Sequence, residues 1–165
     1  MKRVARRNGL DVNAPIGRGD STVFAQIEYR NPYEVRSDLY YGAGSHERRL
    51  TKDARLVQPD VRRDGAIVAV QLAAAATHLV RVARNGEVTP LRAQGTWADP
   101  RWSPDGTRLV AIELLPTGES RVVVMDTLGT TQHIVTGARA VFGSCLLYTS
   151  PSPRDRTRSR MPSSA

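Results

Sequence analysis

The sequence predicts an all-β protein built from repeated four-stranded antiparallel sheets, and two observations support this fold class. The first is the stretch DPRWSPDGTRLVAIEL at residues 99–114, in which a Pro-Asp-Gly turn leads into an alternating apolar run. The second is its recurrence forty-one residues earlier as QPDVRRDGAIVAVQL. The two copies share a proline and an Asp-Gly pair, which are Pro59, Asp64 and Gly65 in the earlier copy and Pro100, Asp105 and Gly106 in the later. Repeats of about forty residues are typical of stacked supersecondary units.

The second and third repeat units each contain four short strand-like runs. In the second unit the runs fall at about 59–62, 66–72, 78–83 and 87–91, and in the third they are PRWS, RLVAIEL, RVVVMDT and QHIVTG. Asp-Gly, Asn-Gly and Thr-Gly pairs separate several runs, and they indicate hairpins because glycine takes the positive φ that tight turns need. Each unit is therefore predicted to be a four-stranded meander. The LAAAAT stretch is predicted to be a loop, because it is too short to nucleate a helix.

The first unit is looser but follows the same order. STVFAQIEY, SDLYYGAG and ERRLTKDAR occupy the second, third and fourth strand places, and the first strand is expected near VNAPIG. A sheet of four short strands cannot bury both of its faces alone, so such repeats stack radially as blades of a β-propeller. We expect a partial propeller in an open arc, because complete propellers have about four to eight blades. Its segments are a basic N-terminal stretch at 1–9, blades at about 10–55, 56–96 and 97–138, and the start of a fourth blade by 143.

The third unit carries a motif that can be compared with a known family. Its Pro-x-Trp-Ser-Pro-Asp-Gly pattern, followed by TRLVAI, a hairpin and an apolar run ending in Asp, resembles the WD40-like repeat of TolB-like β-propellers. The motif residues are Pro100, Trp102, Ser103, Pro104, Asp105 and Gly106. The resemblance covers about residues 10–143, and RRLT at 48–51 also resembles the closing strand of a blade in this family. It implies an extracytoplasmic, often periplasmic setting and a protein partner in the bacterial cell envelope.

The second copy of the motif is incomplete, and the roles predicted for the motif residues are structural. Val61 stands where the aromatic residue would be, and Arg62-Arg63 replaces Ser-Pro. We expect Trp102 to fill the wedge between neighbouring blades. We expect Asp105 to accept backbone hydrogen bonds in its turn, where a glycine supplies the permissive backbone. A role of the motif as a functional site stays the alternative.

The formal net charge of +8 raises the question of a nucleic-acid partner. Clustered basic residues would bind phosphates. The arginines are instead spread through every segment, which favours solvated strand faces and makes nucleic acid an improbable partner. No window approaches the roughly 18 consecutive apolar residues of a membrane span. The start MKRVARRNG is followed by polar residues and not by the apolar core of a signal peptide.

The composition changes from Cys145 onward, where the chain reads CLLYTSPSPRDRTRSRMPSSA. A segment rich in Ser, Pro and Arg without an apolar period is predicted to be a disordered basic tail. Its first eleven residues also resemble the translation of a transposase-type sequencing-library adapter, which would make residues 144–165 non-native. The one cysteine excludes an internal disulfide and a Cys-rich zinc site. Its place in this segment argues against any thiol chemistry.

Motifs that would indicate catalysis or cofactor binding are absent from the sequence. There is no Gly-x-Ser-x-Gly, the nucleophile motif of the α/β-hydrolase domain that follows a comparable propeller in prolyl oligopeptidases. Ser45 and His46 are adjacent, but adjacent side chains point apart and lack a third positioning group. His46, His78 and His133 lie in different units without metal-ligand spacing, and no phosphate-binding loop occurs. No catalytic, cofactor-binding or metal-binding residue is therefore predicted.

Two functional hypotheses follow from these observations. The first is a non-catalytic propeller fragment that acts as a protein- or ligand-binding scaffold. The alternative is the accessory propeller of a larger peptidase, of the prolyl oligopeptidase type or a metallopeptidase, whose catalytic domain lies outside this chain. The two differ in the sequence that would flank the blades, where only the peptidase requires a nucleophile or zinc motif.

Overall fold

The computed structural model describes residues 21–31, 34–43 and 46–135, which form eleven strands and no helix. The first sheet consists of β1 (Ser21–Asn31), β2 (Glu34–Ala43) and β3 (His46–Arg49). The second consists of β4 (Leu56–Val61), β5 (Ile67–Leu72), β6 (Thr77–Val82) and β7 (Val88–Arg92). The third consists of β8 (Thr96–Trp102), β9 (Arg108–Leu114), β10 (Ser120–Asp126) and β11 (Thr131–Val135). All three are open antiparallel meanders, which confirms the predicted all-β architecture.

The first strands of the second and third sheets begin earlier than the sequence predicts. β4 begins at Leu56 and β8 at Thr96, because each strand continues through a β-bulge before its proline. Gln58 and Asp99 occupy equivalent places in the two bulges, with positive φ values of 50° and 46°. A bulge inserts an extra residue and breaks the alternation of side chains, so a pattern search reads it as the end of a strand. The expected strand near VNAPIG, the fourth blade and the C-terminal tail lie outside the described residues.

Two apolar cores join the three sheets face to face. Between the first and second sheets the core consists of Val23, Ala25, Leu39, Leu56, Ile67, Ala69, Val80 and Val82. Between the second and third sheets it consists of Val68, Val70, Leu79, Trp97, Trp102, Leu109, Ala111, Val123 and Met125. Successive side chains of a strand point to opposite faces, so β5 supplies both cores with alternate residues. The continuous apolar run IVAV is therefore the signature of a sheet that is buried on both faces.

The second and third sheets lie closest together at their first strands. The backbones of β4 and β8 approach each other, whereas the described backbones of β7 and β11 do not. Arginine side chains bridge the wider outer part of the wedge, where Arg92 Nη2 donates to Thr131 Oγ1 at 3.2 Å and Arg81 Nη2 donates to the carbonyl of Thr127. Arginines that sequence reasoning assigned to solvated faces thus include residues that link one sheet to the next.

Candidate binding surface

The residues of the Pro-x-Trp-Ser-Pro-Asp-Gly motif form the start of β8 and the β8–β9 turn. Asp105 accepts hydrogen bonds from Ser103 Oγ at 2.5 Å and from the N–H and hydroxyl of Thr107 at 3.0 and 2.8 Å. These bonds, that from Ser103 first, lower the pKa of Asp105 to about 2. Gly106 has φ 73°, the left-handed conformation that favours glycine. Pro100 is buried and Pro104 is exposed, and the hydrogen bonds that Asp105 accepts from Ser103 and Thr107 lie within the turn of the motif.

The incomplete copy in the second sheet uses its arginine to contact the complete copy. Arg62 donates to both carboxylate oxygens of Asp64 at 2.9 and 2.6 Å, which is the largest cause that lowers the pKa of Asp64 to about 2. Arg62 also donates to the carbonyl of Gly106 at 3.4 Å and lies 5.0 Å from the ring centroid of Trp102. Gly65 adopts φ 87° in the same turn, and Pro59 is buried in the β4 bulge. Arg62, which stands where the complete motif has serine, therefore contacts the third sheet from the second.

Two tryptophans fill the wedge between the second and third sheets, and sequence reasoning identified one of them. Trp102 is 7% exposed, and its Nε1 has no hydrogen-bond partner in the described part of the chain. Trp97 is 1% exposed, and its Nε1 donates to the carbonyl of Gln94 at 2.6 Å. Strict alternation would place residues 97 and 102 on opposite faces of β8. The bulge at Asp99 adds one residue and brings both rings to the same core.

Side chains of β4 hold the backbone of β8. Gln58 Oε1 accepts from the N–H of Asp99 at 2.9 Å, and Asp60 Oδ2 accepts from the N–H of Trp102 at 2.7 Å. Burial raises the pKa of Asp60 above its ordinary value, against the opposing effect of its hydrogen bond to Trp102. These bonds satisfy backbone donors that would otherwise be left at the inner edge of a sheet.

The three histidines considered from the sequence lie apart in the structure. His46 begins β3, His78 lies in β6 and His133 lies in β11, each in a different sheet. Ser45 lies outside the described residues. Within residues 21–31, 34–43 and 46–135, no group of three His, Cys, Asp or Glu side chains could hold a metal ion.

The loops of the three sheets emerge on two sides of the array that differ in character. In an antiparallel meander, alternate connections lie at opposite ends of the sheet. The β4–β5, β6–β7, β8–β9 and β10–β11 turns share one end, which we call the charged side. Its charged residues are Arg62, Arg63, Asp64, Arg84, Glu87, Asp105, Arg108 and Asp126. Several of them bond across this end, as where Arg84 Nη2 donates to the carbonyl of Asp64 at 2.7 Å.

The opposite end of the array carries the β5–β6 and β9–β10 loops, the end of β1 and the start of β2, and we call it the apolar side. The connection at residues 50–55, with the exposed charged residues Lys52, Asp53 and Arg55, lies at this end too. The β5–β6 loop consists of alanines at 73–76, and the β9–β10 loop begins with Leu115 and Pro116 and has Glu119 as its charged residue. Near the β1–β2 loop, Tyr29 is 66% exposed and Val35 is 47% exposed. On the charged side Leu128, in the β10–β11 turn, is 72% exposed as a single apolar side chain. Exposed apolar side chains that lie together are typical of an interaction surface.

Sheets that stack face to face and splay from their first strands define this chain as an array of β-propeller blades. The structure is similar to that of TolB from Acinetobacter baumannii, with a TM-score of 0.67 and 20% identity over 84% of this chain and 35% of that chain. It is also similar to the β-propeller domain of the trilobed protease from Pyrococcus furiosus, with a TM-score of 0.61 and 8% identity over 81% of this chain and 44% of that one. The fold resemblance to TolB-like propellers and to a propeller fragment is thereby confirmed.

A third similar structure is a puromycin-hydrolyzing peptidase from Mycobacterium tuberculosis, with a TM-score of 0.58 and 19% identity over 80% of this chain and 25% of that one. This chain spans less than half the length of each of these three proteins. No family model matches the sequence, and no curated protein matches it. Among the described residues there is no helix of the length and apolarity that a membrane span requires.

Proposed function

We propose that the chain is a non-catalytic propeller fragment that binds a protein partner in the bacterial cell envelope, in the periplasm or another extracytoplasmic location. One observation carries this proposal, which is the difference between the two ends of the array. The charged side bonds largely to itself, whereas the apolar side presents Tyr29, Val35, Ala74 and Ala75 to solvent. Apolar and aromatic side chains form the buried centre of protein interfaces, and charged residues are depleted there. The similarity to TolB supports the envelope setting.

The contacts of the motif residues and of the arginines are structural, which is also consistent with a binding role. Asp64 and Asp105 accept hydrogen bonds within their turns, and Trp102 fills a core. Arginine side chains that could have contacted phosphates bond to protein atoms instead, as Arg62 and Arg81 do. A general base and a nucleophile need to lie within hydrogen-bond reach of each other. In the motif the Ser103 hydroxyl bonds to Asp105, but the pKa of that carboxylate is lowered to about 2, which makes it a weak general base. The dispersed arginines argue against a nucleic-acid partner.

Site-specific photocrosslinking tests this proposal. A benzoylphenylalanine placed at Ala75, on the apolar side, is expected to give a protein adduct of one defined mass when the full chain is irradiated in an envelope fraction. The same group at Arg63, on the charged side, is the matched control and is expected to give none. Both positions are exposed, so the label itself should leave the fold intact. Equal adducts at both positions, or adducts at Arg63 alone, would contradict a binding role for the apolar side.

A second candidate function is the accessory propeller of a larger peptidase. The similarity to the propeller domain of the Pyrococcus furiosus protease and to the Mycobacterium tuberculosis peptidase favours it. The uninterrupted reading frame at the source locus distinguishes the two functions. A peptidase requires a Gly-x-Ser-x-Gly or a zinc-protease motif joined to these blades, whereas a binding scaffold requires only further blades.

A further inference from the structure

The connection between the first and second sheets, at residues 50–55, is anchored to both of them. On the first sheet, the buried carboxylate of Asp38 accepts the N–H groups of Asp53 and Ala54 at 3.0 Å each. On the second sheet, the carbonyl of Arg55 accepts the N–H of Leu72 at 2.8 Å, and that of Ala54 accepts Gln71 Nε2 at 3.2 Å. The connection is therefore a fixed part of the apolar side.

This connection is also held in a conformation that its residues rarely adopt. Asp53 and Arg55 have φ values of 56° and 55°, in the left-handed region that favours glycine. The anchor that maintains them is Asp38, which is 2% exposed and also accepts from Arg49 Nη2 at 2.5 Å and Thr51 Oγ1 at 2.9 Å. A rigid, strained backbone fixes the direction in which side chains leave it, which reduces the ordering cost of binding.

The connection carries positive charge on exposed side chains. Lys52 and Arg55 are exposed, and no acidic side chain of the described residues forms an ion pair with either. The one carboxylate in the connection, Asp53, lies 3.7 Å from Arg36 and also forms further contacts. Asp53 is exposed as well, so the net charge that this stretch presents to solvent is positive.

An exposed apolar pair continues the core next to this positive charge. β1 and β2 extend beyond β3, which pairs only with residues 40–43 of β2. Tyr29 and Val35 face each other in register on this extension, on the same side of the sheet as Ala25 and Leu39. Ala25 and Leu39 pack against the second sheet, so the exposed pair continues an established interface beyond its buried part.

We propose that these side chains form one docking surface for an acidic protein segment that carries apolar side chains. We call it the connection surface, and it consists of Tyr29, Val35, Lys52, Arg55, Ala74 and Ala75. Acidic residues of the partner would face Lys52 and Arg55, while its apolar side chains would extend the core beside Tyr29 and Val35. Complementary charge fixes orientation and speeds association, and the apolar contact supplies affinity. This inference rests on the proposed binding function and names the chemistry of its partner.

A phage-displayed library of short random peptides, selected on the full chain, provides the probe. The enriched peptides are expected to combine Asp or Glu with aromatic or aliphatic residues, and a synthetic copy should bind more weakly as salt rises. K52E/R55E should lower its affinity about tenfold or more, and Tyr29→Ser should lower it by a similar factor. R63E/R108E is the matched control because it makes the same charge change at exposed arginines on the charged side. It should leave the affinity within about twofold.

Several outcomes would overturn the proposal. These are enrichment of basic peptides, no enrichment above background, an equal loss in R63E/R108E, or binding of anionic phosphatidylglycerol vesicles in place of peptides. Concentration-dependent self-association that K52E/R55E abolishes would show that the occupant is a second copy. Unfolding curves of each variant confirm that it is folded. If the benzoylphenylalanine at Ala75 still gives its adduct in K52E/R55E, the binding function stands and the connection surface is contradicted. If the same label gives no adduct without these substitutions, both proposals are contradicted.

Discussion

Replacing Gly86 by alanine is expected to lower the free energy of unfolding by about 3 kcal/mol or more. Gly86 lies in the β6–β7 turn with φ 90°, and a Cβ there would lie 1.9 Å from the carbonyl oxygen of Leu50 at the end of the first sheet. The backbone of the first blade thus leaves no room for a side chain at Gly86 in the second blade. Gly129 repeats the arrangement in the β10–β11 turn, where a Cβ would lie 2.9 Å from the carbonyl oxygen of Leu91. Urea denaturation followed by circular dichroism measures the change.

Gly118→Ala is the matched control for this variant. Gly118 has φ 84°, but nothing lies within 4 Å of the position of its Cβ. Its substitution should cost only the strain of a left-handed alanine, about 1–2 kcal/mol. The difference between the two variants isolates the contact between blades. Equal losses in Gly86→Ala and Gly118→Ala would mean that the first two sheets do not pack as described.

Replacing Trp97 by alanine is expected to cost about 3–5 kcal/mol, the range found when large aromatic residues are removed from cores. Its ring is almost fully buried between the second and third sheets, and Arg92 lies 5.4 Å from the ring centroid. The backbone of Trp97 also bonds to the Thr77 hydroxyl, so the cavity would open at a point that joins two blades. Chemical denaturation of the alanine variant gives this value.

Phenylalanine variants distinguish the specific role of Trp97 from general loss of volume. Trp97→Phe leaves the carbonyl of Gln94 without its indole donor, whereas Trp102→Phe removes a buried N–H that has no partner among the described residues. Because Gln94 is exposed, its carbonyl can bond to water, and the loss is that of one hydrogen bond, about 0.5–1.5 kcal/mol. Trp97→Phe should therefore be the more destabilising of the two. The reverse order would contradict the hydrogen bond from Trp97 Nε1 to the carbonyl of Gln94.

Much of the fold is visible in the sequence because its signals are local. The Asp-Gly pairs at 64–65 and 105–106 mark hairpins, and the apolar runs between them alternate as strands do. The β-bulges are less visible, because Gln58 and Asp99 are not glycines, the residues that most often mark a positive φ in a sequence. The sequence pattern therefore does not reveal where β4 and β8 begin or that Trp97 is buried. One extra residue in a strand moves every side chain before it to the opposite face of the sheet.

The candidate binding surface was hidden because its parts are distant in sequence. Tyr29 and the alanines at 74–75 lie at the same end of the array only because the first two sheets stack. Asp38 lies in a strand that looks ordinary, and its contacts with Asp53 and Ala54 depend on the path of the connection. Arg62 stands where the complete motif has serine, so in the sequence it looks like a loss of the motif. In the structure it bonds to the carbonyl of Gly106, forty-four residues away. Long-range contacts of this kind are set by packing and not by local propensity.

Amide hydrogen exchange at Asp99 tests most directly whether the second and third sheets are neighbouring blades joined at their inner strands. In the structure this N–H donates to Gln58 Oε1 from a different sheet, at 2.9 Å. Gln58→Ala, followed by NMR, should speed exchange of the Asp99 amide about tenfold or more while the amides in the middle of β6 keep their protection. Unchanged exchange at Asp99 in a folded Gln58→Ala variant would contradict the stacking of these blades.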